Sequence, residues 1–128
     1  MKPEELKART KKFAIRIIKM TQALPKNRIG DVLGKQILRS STSIGANYRA
    51  ACRARSDDDF ISKLGIVEEE TDETLYWLEL ICESGVIKPH LLQNLVKEAD
   101  ELTAIFTASR KTARNNQSNI KNKAKRRD

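Results

Sequence analysis

From Phe60 to Cys82 the chain sets Phe60, Leu64, Val67, Thr71, Leu75 (or Thr74), Leu78 and Cys82 three or four residues apart, a heptad-like rhythm kept for more than six turns. Strand faces alternate every two residues, so this stripe belongs to a helix, and a one-sided helix needs apolar surface opposite it. The remaining chain supplies that surface in the same form. Leu6, Phe13, Ile17, Met20 and Leu24 make one stripe, Leu33, Ile37, Ile44, Tyr48 and Ala51 a second, and Leu92, Leu95, Ala99, Leu102 and Phe106 a third. Breaks fall between the stripes. Pro3 with Glu4 and Glu5 opens helix 1, Pro25 closes it ahead of Asn27, and helix 2 runs from about Ile29 to Arg55. Ser56 reads as the N-cap of helix 3, with Asp57, Asp58 and Asp59 in its first turn. Ser84 and Gly85 end it, and Pro89 suits the start of helix 4. Amphipathic helices joined by short connectors pack as antiparallel neighbours, so the expected fold is all-α, an up-down-up-down four-helix bundle in one domain over residues 1–110.

Beyond Arg110 the apolar rhythm fails. Residues 111–128 are polar, basic and nearly free of large apolar groups, which predicts a disordered basic tail. Most of the net charge of +8 lies there, because residues 110–128 hold eight Lys or Arg and one acid. The bundle itself is split, with 14 basic and 3 acidic groups in residues 1–55 against 3 basic and 13 acidic groups in residues 56–109. No run approaches the roughly 20 apolar residues that span a bilayer, and MKPEELKART has no apolar leader core, so the expected compartment is the cytoplasm, with no membrane partner. Cys52 and Cys82 lie inside helical patterns and fit neither a disulfide framework nor a zinc spacing, which predicts buried thiols in a reducing compartment.

Catalytic chemistry has little to draw on. The single histidine, His90, sits at the start of helix 4 in a solvated or capping position. Glu68, Glu69, Glu70, Asp72 and Glu73 are rich in carboxylates, but a di-iron bundle needs Glu-x-x-His pairs, and the chain has none. GDVLGKQ has three residues between its glycines instead of four, and Gln36 stands where Ser or Thr would ligate magnesium. The serines of RSSTSIG lack a histidine base. The expectation is therefore no enzyme, no metal and no cofactor.

RSSTSIG is informative in another way, because Ser40, Ser41, Thr42, Ser43 and Gly45 are mediocre helix formers in mid-helix. Gly34, Ser41 and Gly45 line one side, where another helix can come close, while Ser40 and Asn47 fall in the inward stripe with Leu33. In a hairpin turning near Ser56, opposing positions sum to about 113. This sets Ser40 and Ser43 near Glu70 to Thr74, with Arg39 in reach, and predicts a polar layer of the serines, Arg39, Glu70 or Glu73, and Thr71. Ile66, Trp77 and Leu80 on helix 3 and Leu91 and Ile105 on helix 4 form second apolar lines that call for a cover. The split charge fits two arrangements. One is an intramolecular salt-bridge seam, and the other is a head-to-tail ring in which the basic face of one copy meets the acidic face of the next.

The stretch ILRSSTSIGANYRAACRARSDDDFISKLGIVEEETDETLYWLELI resembles the 23S rRNA intervening-sequence protein family, small bacterial proteins some of which are encoded within insertions in large-subunit ribosomal RNA genes. The resemblance is carried by Arg39, Ser40, the SIGAN core from Ser43 to Asn47, Arg49, Arg53, Phe60 and the run from Glu68 to Glu79, and it extends over roughly residues 5–110 without the tail. It implies a left-handed up-down bundle, a ring-like homopentamer and no catalytic residues. It also implies kinship with the accessory proteins of retroelements, which work with a reverse transcriptase and nucleic acid.

The function expected from these readings is a non-catalytic oligomer that binds RNA or DNA through phosphates, without sequence readout. Its contact residues would be Lys11, Lys12, Arg16 and Lys19 on helix 1, Lys35, Arg49, Arg53 and Arg55 on helix 2, and Arg110, Lys111 and Arg114 at the root of the tail. Arg39, Ser40, Ser43, Asn47, Glu70, Thr71, Glu73 and Trp77 are expected to serve structure or assembly. The other class of function is a protein-interaction scaffold or accessory subunit, whose acidic helices hold a reverse-transcriptase-like or other basic partner.

Overall fold

A computed structural model describes residues 1–127, with the side chain of Arg127 left outside the description. The chain runs through α1 (Pro3–Thr21), α2 (Arg28–Cys52) and α3 (Asp57–Glu83), then a short 3-10 turn (Pro89–Leu91) and α4 (Gln93–Arg127), with no strand among the described residues. Neighbours in sequence pack as neighbours in space, most extensively α2 on α3 and least along the α1–α4 seam. This is the four-helix architecture that the stripes predict.

Local chemistry sets the ends. Asn27 caps α2 by accepting from the Gly30 N–H at 2.9 Å, and Ser56 caps α3 by accepting from the Asp59 N–H at 3.1 Å. Asp57, Asp58 and Asp59 then sit at the positive end of the α3 dipole. After α3 the chain turns at Gly85, whose φ of +76° is left-handed backbone that glycine adopts without strain. Pro89 opens the 3-10 turn instead of α4 itself, since Leu91 and Leu92 donate three residues back, to the carbonyls of Lys88 and Pro89.

The core joins all four helices. The expected residues of α2 and α4 are all buried, together with Leu6, Phe13, Ile17 and Leu24 of the first segment. Met20 is only half-buried. On α3 the buried sector is wider than one stripe, because this helix faces both α2 and α4: Ile61, Gly65, Thr74 and Ile81 join Leu64, Val67, Thr71 and Leu78, while Phe60, Leu75 and Cys82 sit half-buried at the edge. Cys52 and Cys82 are free thiols, half-buried where full burial was expected.

The C-terminal segment overturns an expectation. Residues 111–127 are not a disordered tail but the last turns of α4; Asp128 lies outside the described residues. Ala113, Gln117, Ile120 and Ala124 extend the three-and-four spacing of Leu102 and Phe106, although with small or polar side chains that carry a weak hydropathy signal. Ala113 packs against the core, and Gln117 donates its amide to Asp58 at the start of α3. A helix already formed grows without a second nucleation step, and Ala, Lys, Arg and Gln are good helix formers. With 35 residues against the 27 of α3, at about 1.5 Å per residue, α4 overhangs the bundle.

The α1–α2 return leaves no room at Gly30, where a Cβ would overlap the Pro25 carbonyl oxygen. Gly30→Ala should therefore lower the free energy of unfolding by about 1–3 kcal/mol, read as a reduced urea midpoint at unchanged m-value.

Candidate nucleic-acid interface

Ion pairing sorts the cations into two groups. Arg9 forks onto Glu98, through Nε at 2.8 Å and Nη2 at 2.6 Å, and reaches Glu101 at 2.7 Å, tying α1 to α4. Arg39 binds Glu70 at 3.1 Å and also Glu73, tying α2 to α3. Hydrogen bonds to these carboxylates raise both guanidinium pKa values above the ordinary arginine range. Arg110 pairs with Glu68 at 3.3 Å, and Lys63 and Lys7 pair within their own helices. The salt-bridge seam thus exists, but Arg9 and Arg39 are its contribution from the basic half.

Among the described residues, Lys11, Lys12, Arg16, Lys19, Lys35, Arg49, Arg53 and Arg55 are in no ion pair. All are exposed except Arg16, which is half-buried. The fold gathers only some of them. Lys11, Arg49 and Arg53 line an open groove of about 580 Å³ between α1 and α2. Lys7, which sequence reasoning missed, lies on the same wall; its place four residues before Lys11 was the available signal. The groove floor is a close helix crossing, where Thr10, hydrogen-bonded to the Leu6 carbonyl at 2.8 Å, meets Gly45 and a Cβ on that glycine would approach Thr10 Oγ1 to 3.1 Å.

Lys12, Arg16 and Lys19 share instead the line of Arg9, at spacings of three and four, on the side of α1 that turns towards α4. Lys35 belongs to a separate groove at the α1–α2 turn, and Arg55 to one at the α2–α3 turn, beside Asp57. Arg110, Lys111 and Arg114 lie on α4. Lys111 and Arg114 are exposed there, while the half-buried Arg110 lies over Gly65, where a Cβ would come within 3.1 Å of its guanidinium.

The polar layer forms in part, through Ser40 with Thr74 and Arg39 with Glu70 and Glu73. Thr74 donates to Ser40 Oγ at 2.8 Å in the buried α2–α3 contact, a pairing whose positions sum to 114. Thr71 is equally buried but donates to its own helix, at the Val67 carbonyl. Ser43 donates to the Arg39 carbonyl, and Asn47 donates to that of Ser43, so neither crosses to α3. Arg39 and the Trp77 indole both donate to Glu73, which holds its carboxyl below the usual range, the Arg39 bond contributing most. Elsewhere, Lys63 lowers the Asp59 carboxyl by a hydrogen bond, and burial pushes the Tyr48 phenol upward. His90 is exposed in the 3-10 turn. Among the described residues no group of three or more His, Cys, Asp or Glu could hold a metal ion, and no helix is long and apolar enough to cross a membrane.

A family model described as 23S rRNA-intervening sequence protein matches residues 4–108. The crystal structure of a protein with unknown function from the S23 ribosomal protein family of Bacteroides thetaiotaomicron is similar at a TM-score of 0.79 and 38% sequence identity, covering 87% of this chain and 99% of that chain. Comparison with curated proteins gives no match.

The depressed Glu73 carboxyl has a pH signature. Its stabilisation is fully present above the ordinary carboxylate pKa and is lost as pH falls through the lower folded-state value. The Tm gap between the wild type and Glu73→Gln should be widest at neutral pH and close on acidification; a gap that ignores pH would assign the Arg39–Glu73 pair no part in stability.

Proposed function

The chain belongs to the 23S rRNA-intervening sequence protein family, and from that premise we propose that it is a non-catalytic oligomer that binds RNA or DNA through phosphate contacts. The observation that carries this reading is the groove between α1 and α2, where Lys11, Arg49 and Arg53 stand in no ion pair beside Lys7, which pairs with Glu4 on the same wall. Unneutralised cations along a concave surface attract a polyanion and release its counterions on binding. Lys12, Lys19 and Lys35 extend the same sign over the outer surface of α1 and α2. Phosphate contact by flexible cations carries no sequence information in itself.

Oligomerisation belongs to the same proposal. The unpaired cations of α1 and α2 complement the carboxylates exposed on α3 and α4, and Ile66, Tyr76 and Leu80 on α3 with Ile29 and Val32 on α2 remain exposed as large apolar groups. Head-to-tail contacts would cover them and close into a ring, five copies being the number that the family resemblance implies. The same apolar and acidic surface supports a second reading, a scaffold or accessory subunit that holds a basic protein such as a reverse transcriptase.

Wild type and Lys11→Gln/Arg49→Gln/Arg53→Gln should be compared on a structured RNA and a DNA duplex at low and near-physiological salt. The variant should bind more weakly to both, with a salt slope smaller by about 2–3, roughly one for each phosphate that is no longer neutralised. Equal affinity and slope would remove the groove from the interface. Light scattering should give a mass several times that of the 14.5 kDa chain; a monomer mass at all concentrations would exclude the ring. Co-purification separates the two functional readings, since nuclease-sensitive material supports the first, and a stoichiometric protein partner that survives nuclease supports the second.

A further inference from the structure

The overhanging end of α4 carries a pattern that the phosphate-binding reading does not use. Asn115, Asn119, Asn122 and Arg126 are spaced by four, three and four residues and so share one line along the helix. The line that continues the bundle-facing side, Ala113, Gln117, Ile120 and Ala124, has the same spacing displaced by two residues, which puts the two lines on opposite sides; Ala113 and Gln117 are half-buried on it, while Ile120 and Ala124 are exposed. All four residues of the outer line are exposed. Lys111 and Lys125 flank it on one side and Lys123 on the other, all exposed as well. Gln117 is the amide of this segment that the bundle uses, through Asp58.

Asparagine is a poor choice for holding a helix together, and three of them on the solvent face of an extension do nothing for its stability. They have another capacity. An asparagine amide donates and accepts in one plane, the combination that matches N6 and N7 of adenine, and Arg126 offers the fork that matches O6 and N7 of guanine. Phosphates or an acidic protein would be satisfied by the lysines alone. A membrane surface would need apolar side chains, and the one large apolar group here, Ile120, is on the opposite side. A single helix of about 10–12 Å diameter fits the major groove of B-form DNA, about 12 Å wide, whereas the major groove of A-form RNA is deep and too narrow for side chains to read.

We propose that residues 111–127 form a recognition helix that enters the major groove of duplex DNA, with Asn115, Asn119, Asn122 and Arg126 on base edges and the flanking lysines on the phosphates. From Asn115 to Arg126 the line is about 16 Å long, which spans roughly five base pairs. The site is separate from the α1–α2 groove and stands or falls apart from it.

The test is selection by the full-length protein from a library of DNA duplexes with a randomised core, followed by affinity measurement on the selected duplex, a scrambled duplex and an RNA duplex of the selected sequence. The wild type should enrich a motif of about four to six base pairs and prefer it to both controls. Asn115→Ala/Asn119→Ala/Asn122→Ala should keep its helical circular dichroism and its binding to scrambled DNA, while its preference for the selected duplex falls roughly tenfold for each base-reading amide removed. The groove variant Lys11→Gln/Arg49→Gln/Arg53→Gln should still enrich the motif. Failure of the wild type to enrich any motif, enrichment unchanged in the triple asparagine variant, or equal affinity for the RNA duplex would each overturn the proposal. Loss of scrambled-DNA and RNA binding in the groove variant alone bears only on the phosphate-binding reading.

Discussion

The bundle depends on how closely α2 can approach the helix on either side of it. Towards α1, Gly45 lets the backbone come within contact of Thr10. Towards α3, Ser40 accepts a hydrogen bond from Thr74 in a fully buried contact that larger side chains would hold apart. These small residues make α2 a mediocre helix in isolation. The helix forms because packing on two sides contributes more than intrinsic propensity takes away. The hydroxyls are not stranded by burial, since Ser40, Thr10 and Thr71 each return a hydrogen bond to a backbone carbonyl of their own helix.

Charge placement follows from that packing. With the small faces of α2 turned to its neighbours, its long cations have only the outer surface and the groove edges to occupy. Arg39 alone on α2 is at the α3 edge and can latch onto Glu70 and Glu73; Arg9 does the same from α1 to α4. The α1–α4 seam is the least packed in the bundle, so the fork of Arg9 on Glu98 and Glu101 is a larger share of what joins those two helices. The cations of the first two helices that were expected to touch nucleic acid form no ion pair among the described residues and, Arg16 apart, are exposed, which leaves the molecule with a basic half beside an acidic one. A charge distribution of this kind sets up an electrostatic field that extends beyond pairwise contacts.

The α4 extension shows why a polar segment need not be a disordered one. Hydropathy alone counts Ile120 as its single large apolar group and misses the spacing that connects Ala113, Gln117, Ile120 and Ala124 to the core stripe. The overhang then separates two faces that a disordered tail would not have, one turned to the α2–α3 corner through Gln117 and Asp58 and one turned outward. Its charge becomes a directed surface.

The four helices, their order, the Ser56 cap and nearly all of the core were legible in the sequence, because three-and-four periodicity and cap chemistry are local properties of the chain; the Asn27 cap of α2 was not read there. Segregation of charge between the two halves was legible for the same reason. Which cations pair, which line one groove and which stand apart was not, since those relations depend on the rotation of each helix about its axis. That rotation is set by interlocking side chains from several segments at once. It is why Lys7 joins Lys11, Arg49 and Arg53 while Lys12, Arg16 and Lys19 turn away, why Thr74 rather than Thr71 meets Ser40, and why Arg110, expected at a nucleic-acid surface, lies over Gly65 with Glu68 as its partner. The sequence by itself determined that this chain makes amphipathic helices with one basic and one acidic half. Only the tertiary structure decided which face of each helix its neighbours cover and where the remaining charge points, because those outcomes come from close packing between distant segments and not from any single one.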